Sequence, residues 1–240
     1  MFSFSSRVIL AALAFVAMPL LQVSAADAPA NATQAAIDKA VQEYAEKVVA
    51  ARDAAVAKAN TNRAQDLLHD PRTPVLGDPN GDVTLIEFSD YQCPFCKAAE
   101  PRIEQLLKDD KRVRVVIKEF PILSPESIVA AKAALASVKQ GKYEQYHQAM
   151  MTHKGRLETN HIWEIAAAVG LDVNKLKKDM DLPEISDQII ANLTLARALK
   201  ISVVPGFIVN TRTLAGVTNE TETSKIDFPK EVAQARAAKS

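Results

Sequence analysis

The stretch "VTLIEFSDYQCPFCKAAEPRIEQLL", Val83 to Leu107, decides the fold. Val83 to Phe88 is an apolar, β-branched run of strand length, and its single charge is Glu87. Pro94 suits the first position of a helix, where its missing N–H removes nothing, and the residues from it onward read as a helix. The pattern predicts a buried strand, a short turn and a helix. Cys93 and Cys96, the two cysteines of the chain, fall where turn becomes helix.

Three chemistries suit sulfurs this close. A zinc site needs about four ligands, yet a second C-x-x-C is missing and His69, His147, His153 and His161 show no paired ligand spacing. A structural clip across two residues would restrict the unfolded chain very little. A redox couple needs both sulfurs within one turn, so that a disulfide can open and close with little backbone motion. It also needs a stabilised thiolate, which the unpaired N–H groups and positive dipole of a helix N-terminus provide at Cys93. The expectation is therefore a redox pair, with Cys96 the deeper sulfur.

Working outward, "RVRVVIKEF" (Arg112 to Phe120) reads as a second strand. Ser124 to Lys200 reads as helical, with breaks at Gly141, around Gly155, at Gly170 to Asp172 and at Pro183. Strand character returns in "ISVVPGFIV" (Ile201 to Val209) and "TLAGV" (Thr213 to Val217), and a last helix is expected over Phe228 to Ala238. The order is strand, helix, strand, a helical block, two strands and a helix. This is an α/β sheet fold with a helical insertion over about 124–200.

Upstream, Arg7 and the apolar run Val8 to Leu21, followed by "VSA", have the form of a cleavable signal peptide over residues 1–25. Export would place the cysteines where disulfides persist. Residues 26–69 are read as a helical segment. Ile37, Val41, Tyr44, Val48, Ala51 and Ala55 alternate steps of four and three, a short heptad seam that needs a partner surface. Three prolines and two glycines in "HDPRTPVLGDPNGD" make residues 70–82 a turn-rich linker, with the catalytic domain over 83–240. Basic and acidic residues balance at 29 each, and no basic stripe is visible, so no nucleic-acid partner is expected.

These residues resemble the DsbA-like thiol–disulfide oxidoreductases of the bacterial periplasm. The resemblance runs from about Pro74 to the C-terminus and rests on "VTLIEFSDYQCPFC", "KEFPIL", the helical insertion and the proline before a late strand. It implies a thioredoxin fold carrying an inserted helical subdomain, with Cys93 as nucleophile and Cys96 as resolving cysteine. The N-terminal helix is similar to the stalk of oligomeric, ScsC-type members and implies a homodimer or homotrimer. The resemblance also maps Pro205 onto the family's cis-proline. Val204 before it, with Pro94 and Phe95, would meet an extended substrate. Glu87 maps onto the family's buried acid, suited to passing a proton to or from Cys96, and Lys118 is its expected charge partner across the strands.

The implied partners are unfolded or misoxidised exported proteins and a membrane redox partner; no cofactor and no metal are implied. Phe95, in place of the histidine of the strongest oxidants, argues for a milder oxidant, whereas Val204 is the choice of the oxidases. Oxidation and isomerisation both stay open. So do two other readings, an exported chaperone and a copper-stress protein that uses the thiolates as soft ligands.

Overall fold

The computed structural model describes residues 42–44, 47, 65–210, 212–214 and 220–238. Most of the expected heptad helix, all of the expected signal peptide and Ala215 to Val217 lie outside these residues. The chain divides between Ala55 and Val56, and the unit from Val56 onward carries the cysteines.

Its centre is a five-stranded sheet in the order β1-β3-β2-β4-β5. The strands are β1 (Val75–Gly77), β2 (Val83–Ser89), β3 (Val113–Glu119), β4 (Gly206–Val209) and β5 (Arg212–Thr213). β2 and β3 run parallel, with Glu87 opposite Ile117 and Phe88 opposite Lys118. β1 is antiparallel to β3, and β4 is antiparallel to both β2 and β5. Flanked on both sides, β2 is buried along its whole length, which explains its continuous apolar sequence.

The crossover from β2 to β3 is α1 (Pro94–Asp109), whose buried face carries Cys96, Ala99, Glu100, Ile103 and Leu106. The insertion comprises α2 (Pro125–Ser137), α3 (Tyr143–Thr152), α4 (Thr159–Ala168), α5 (Val173–Asp179) and α6 (Pro183–Ala198). The breaks fall where the sequence places them. A 3-10 turn over Val138–Gln140 ends on Gly141, whose φ of 66° is left-handed. Ser124 caps α2 through a reciprocal bond with Ser127. Two further helices, α7 (Glu220–Lys225) and α8 (Phe228–Ala237), close the chain. Phe228 of α8 packs edge-on against Phe207 of β4, with centroids 5.1 Å apart. Arg236 bonds Asp82 and Asp110, tying α8 to the start of β2 and the end of α1.

Two expectations change. The stretch read as linker carries β1, paired through Val75, Leu76 and Gly77 with β3, so it is part of the sheet. Gly77 closes that strand at φ 76°, and a Cβ there would sit 2.7 Å from the Val113 carbonyl oxygen. Within "ISVVPGFIV", only Gly206–Val209 is strand.

Candidate active site

The site forms where α1 begins. Cys93 is the N-cap of α1, with extended backbone (φ −77°, ψ 116°), and its Sγ accepts the Cys96 N–H at 3.4 Å. On its other side Cys93 Sγ donates to the Val204 carbonyl at 3.3 Å. The Val204–Pro205 bond is cis, which brings the residue expected beside the substrate onto the nucleophile. Both cysteines are free thiols; Cys93 is 2% exposed and Cys96 0%. Pro94 is exposed and Phe95 half-buried.

The two thiols are driven apart electrostatically. The hydrogen bond from the Cys96 thiol lowers the pKa of Cys93, as do the Cys96 and Phe95 N–H groups, against the cost of burial. Burial pushes Cys96 well above the ordinary thiol value, reinforced by its bond to Cys93 and by the charge of Glu87. One sulfur is thus prepared as a thiolate, and the other holds its proton until an acceptor takes it.

Glu87 is fully buried on the same face of the sheet. Neither of its carboxylate oxygens has a hydrogen-bond partner among the described residues. Burial raises its pKa from 4.5 to about 8, with the charge of Glu100 adding to the rise and His147 opposing it. A carboxyl that titrates near neutrality beside a thiol can act as a general acid or base.

Lys118 is not its partner. Side chains alternate across a sheet, and in the observed register Lys118 shares a face with Phe88 while Glu87 shares one with Ile117. The Lys118 ammonium donates to the Asp66 carbonyl at 2.8 Å and to Thr73 Oγ1 at 2.9 Å. It holds the approach to β1 against the sheet, away from the cysteines.

The remaining neighbours of the site were not singled out by sequence. Asp90 accepts the N–H groups of Gln92, Ile122 and Leu123 at 2.8, 2.9 and 3.0 Å, fixing the turn before Cys93 to the start of the insertion. Gln92 exchanges two bonds with the backbone of Leu157, and Lys97 donates to His153 and Gly155 carbonyls, so the insertion is fastened to the active-site turn. An open groove of about 860 Å³ lies alongside, lined by Pro94, Lys97, Leu123, Met151 and His153 among others. Glu100 and His147 are also buried, and the charges of both act on Glu87. Their sequence signal is position: Glu100 is four residues after Cys96 on the buried face of α1, and His147 is four after Tyr143 on that of α3.

Comparison with known proteins matches this arrangement. The thioredoxin family model covers residues 69–227. A thioredoxin-like oxidoreductase from Silicibacter pomeroyi DSS-3 superposes with a TM-score of 0.66 at 39% identity, over 72% of this chain and 97% of that one. The thiol–disulfide exchange protein α-DsbA2 from Wolbachia pipientis gives 0.64 at 29% identity, over 77% and 97%. The catalytic domain of Proteus mirabilis ScsC gives 0.64 at 24% identity, over 75% and 98%, a likeness of fold. Among curated relatives, the Na(+)/H(+) antiporter NhaA 3 of Salinispora tropica is 29% identical over 143 residues, which are 59% of this chain but 22% of that protein. The chain thus spans about a fifth of the length of the curated relatives it matches. With the strand order, the helical insertion, the C-x-x-C at a helix N-terminus and the cis-proline beside it, the chain belongs to the thioredoxin family, as a DsbA-like member.

Proposed function

We propose that this protein is an exported thiol–disulfide oxidoreductase acting through Cys93 and Cys96 on disulfides of other periplasmic proteins. The observation that carries the reading is the asymmetry of the pair. Cys93 sits at a helix N-terminus, with donors that favour its thiolate, while Cys96 is sealed behind it and feels the charge of Glu87, a buried acid with no hydrogen-bond partner among the described residues.

In the oxidising direction, a substrate thiolate attacks Cys93 Sγ of the Cys93–Cys96 disulfide. The S–S bond breaks, Cys96 leaves with its electron pair and takes a proton from Glu87. A second substrate thiolate then attacks the substrate sulfur of the mixed disulfide and displaces the Cys93 thiolate. The substrate loses two electrons and the pair gains them; a membrane redox partner would reoxidise the protein. Run from the dithiol, Cys93 attacks a substrate disulfide, and the same residues reduce or isomerise it. Val204, Pro205, Pro94 and Phe95 border the sulfur, and the groove beside Pro94 offers an apolar floor to the substrate chain. The heptad seam over 37–55 supports a homodimer or homotrimer, and the N-terminal apolar run supports export to the periplasm.

The test is turnover. The wild type should reduce insulin with a dithiol donor and oxidise a dithiol peptide, and Cys93→Ala should lose both. Aggregation suppression that survives the substitution, in a wild type without redox turnover, would replace the enzyme by a chaperone. Tight, stoichiometric Cu(I) binding without turnover would favour the copper-stress reading.

A further inference from the structure

The polar cluster behind the cysteines continues past Glu87 into the helical insertion. Glu100 Oε2 of α1 lies 3.4 Å from His147 Nε2 of α3, with the two side chains 1% and 0% exposed. The other ring nitrogen of His147, Nδ1, lies 2.8 Å from Tyr91 Oη and 3.5 Å from Tyr143 Oη. Both tyrosine hydroxyls donate to Glu119 Oε1, at 2.9 and 2.8 Å.

The hydrogen bonds suit one assignment of the histidine. With Glu119 ionised, each tyrosine gives its one proton to Glu119, and Tyr91 accepts from His147 Nδ1–H. Nε2 then faces the Glu100 carboxylate, and that contact is attractive only with a proton between them. In this assignment His147 is an imidazolium against Glu100. Burial opposes its charge, yet Glu100, Glu119 and Glu87 together keep its pKa above the ordinary value. The ionisable groups around it are Glu87 on β2, Tyr91 in the turn, Glu100 on α1, Glu119 on β3 and Tyr143 on α3, with Asp90 beyond Glu119. Both oxygens of Glu87 and Oε2 of Glu119 meet no hydrogen-bond partner among the described residues, while Glu100 Oε2 and His147 Nε2 form the ion pair. Buried polar atoms left without a partner are costly, so they argue for use rather than for stability.

We infer that His147, supplied by the helical insertion, is a positioning residue for the resolving step: its charge keeps Glu87 able to take the proton of Cys96. The inference rests on the proposed exchange chemistry. With substrate linked to Cys93, the Cys96 proton passes to the Glu87 carboxylate. The Cys96 thiolate attacks Cys93 Sγ, a Cys93–Cys96 bond forms, and the Cys93–substrate bond breaks. The electron pair leaves on the substrate sulfur, and the proton stays on Glu87. Two carboxylates side by side resist sharing charge. The imidazolium offsets one of them, and without it the fraction of Glu87 ionised at neutral pH, already small at a pKa of about 8, falls further.

The test compares wild type with His147→Gln, each loaded with glutathione on Cys93. The rate of glutathione release against pH reads resolution, and iodoacetamide alkylation of Cys93 reads the nucleophile alone. The variant should release glutathione about tenfold more slowly at pH 7, with its profile displaced about one unit to alkaline pH, while Cys93 alkylates as in the wild type. Superimposable release profiles would overturn the inference while leaving the exchange chemistry standing. A wild type that neither loads nor releases glutathione would remove both. Should the variant not fold, histidine-ring NMR of the wild type decides, since the chain has only four histidines. The titration of His147 should differ between the dithiol and disulfide states, and an unchanged titration would overturn the role.

Discussion

Two buried charges sit one residue apart in register on the central parallel strands, and they have opposite fates. Lys118 is 1% exposed, and its ammonium donates to two oxygens. Glu87 is 0% exposed and has no hydrogen-bond partner among the described residues. Burial lowers the pKa of Lys118 from 10.5 to about 8 and raises that of Glu87 from 4.5 to about 8. The pKa values converge, but the environments do not. A satisfied buried charge fastens structure, whereas an unsatisfied one beside a thiol remains free to exchange a proton. The sheet separates the two because neighbouring residues on a strand face opposite sides.

Four substitutions or truncations test that contrast, beginning with the largest effect. Cys96→Ala should stop turnover and accumulate a mixed disulfide on Cys93, detected by peptide mass mapping after mixing with substrate. A trapped partner on any other residue would break the assignment of roles.

Glu87→Gln should slow the release of glutathione from Cys93 by about ten- to a hundredfold at neutral pH, the scale of one general acid–base group. Its effect on stability has a definite sign. The folded pKa is about 8 against the ordinary 4.5, so the unfolded state ionises first and stability falls as pH rises from about 4.5 to about 8. The cost is roughly 3 kcal/mol at pH 7 from that displacement. Urea unfolding should therefore find the variant gaining stability relative to wild type between pH 5 and pH 8. A gain independent of pH would mean that Glu87 is not the titrating group.

Lys118→Met should leave the thiol pH profile in place and change stability by only about 1–2 kcal/mol, because an apolar chain replaces a desolvated charge as it removes two hydrogen bonds. Here the folded pKa is depressed, so wild-type stability rises between about pH 8 and 10.5, and that rise should vanish in the variant. A displaced thiol profile would return Lys118 to the active site.

The smallest effect on the chemistry is expected from removing residues 26–60, which retains Asp66 and Leu67. Light scattering should report a fall in molar mass to that of the monomer, with Cys93 alkylation unchanged. An unaltered mass would rule out the heptad segment as the oligomerisation element.

The same contrast shows where the sequence stops being readable. Strand β2, helix α1 and the breaks of the insertion were legible because periodicity, Pro94 and the glycines each have one local structural consequence. Glu87 was legible as buried because an apolar strand does not hold a carboxylate by chance. Its partner was not, since register between parallel strands is set by packing across the sheet, and a one-residue shift moves Lys118 to the other face. Glu100 was not singled out and His147 was weighed only as a zinc ligand; only the docking of α3 on α1 brings them together. Strand β1 was hidden because three residues between prolines and glycines carry no period. Asn192, which heads an N-x-T triplet, is 2% exposed and donates to the Glu119 carbonyl, a role that no motif announces.

The most direct test of the central claim is the pH dependence of alkylation for each cysteine of the reduced protein, followed by peptide mass. The account predicts that Cys93 reacts with an apparent pKa below that of an ordinary thiol, while Cys96 stays protected until well above it. Equal reactivity at the two sulfurs, or earlier reaction at Cys96, would contradict it.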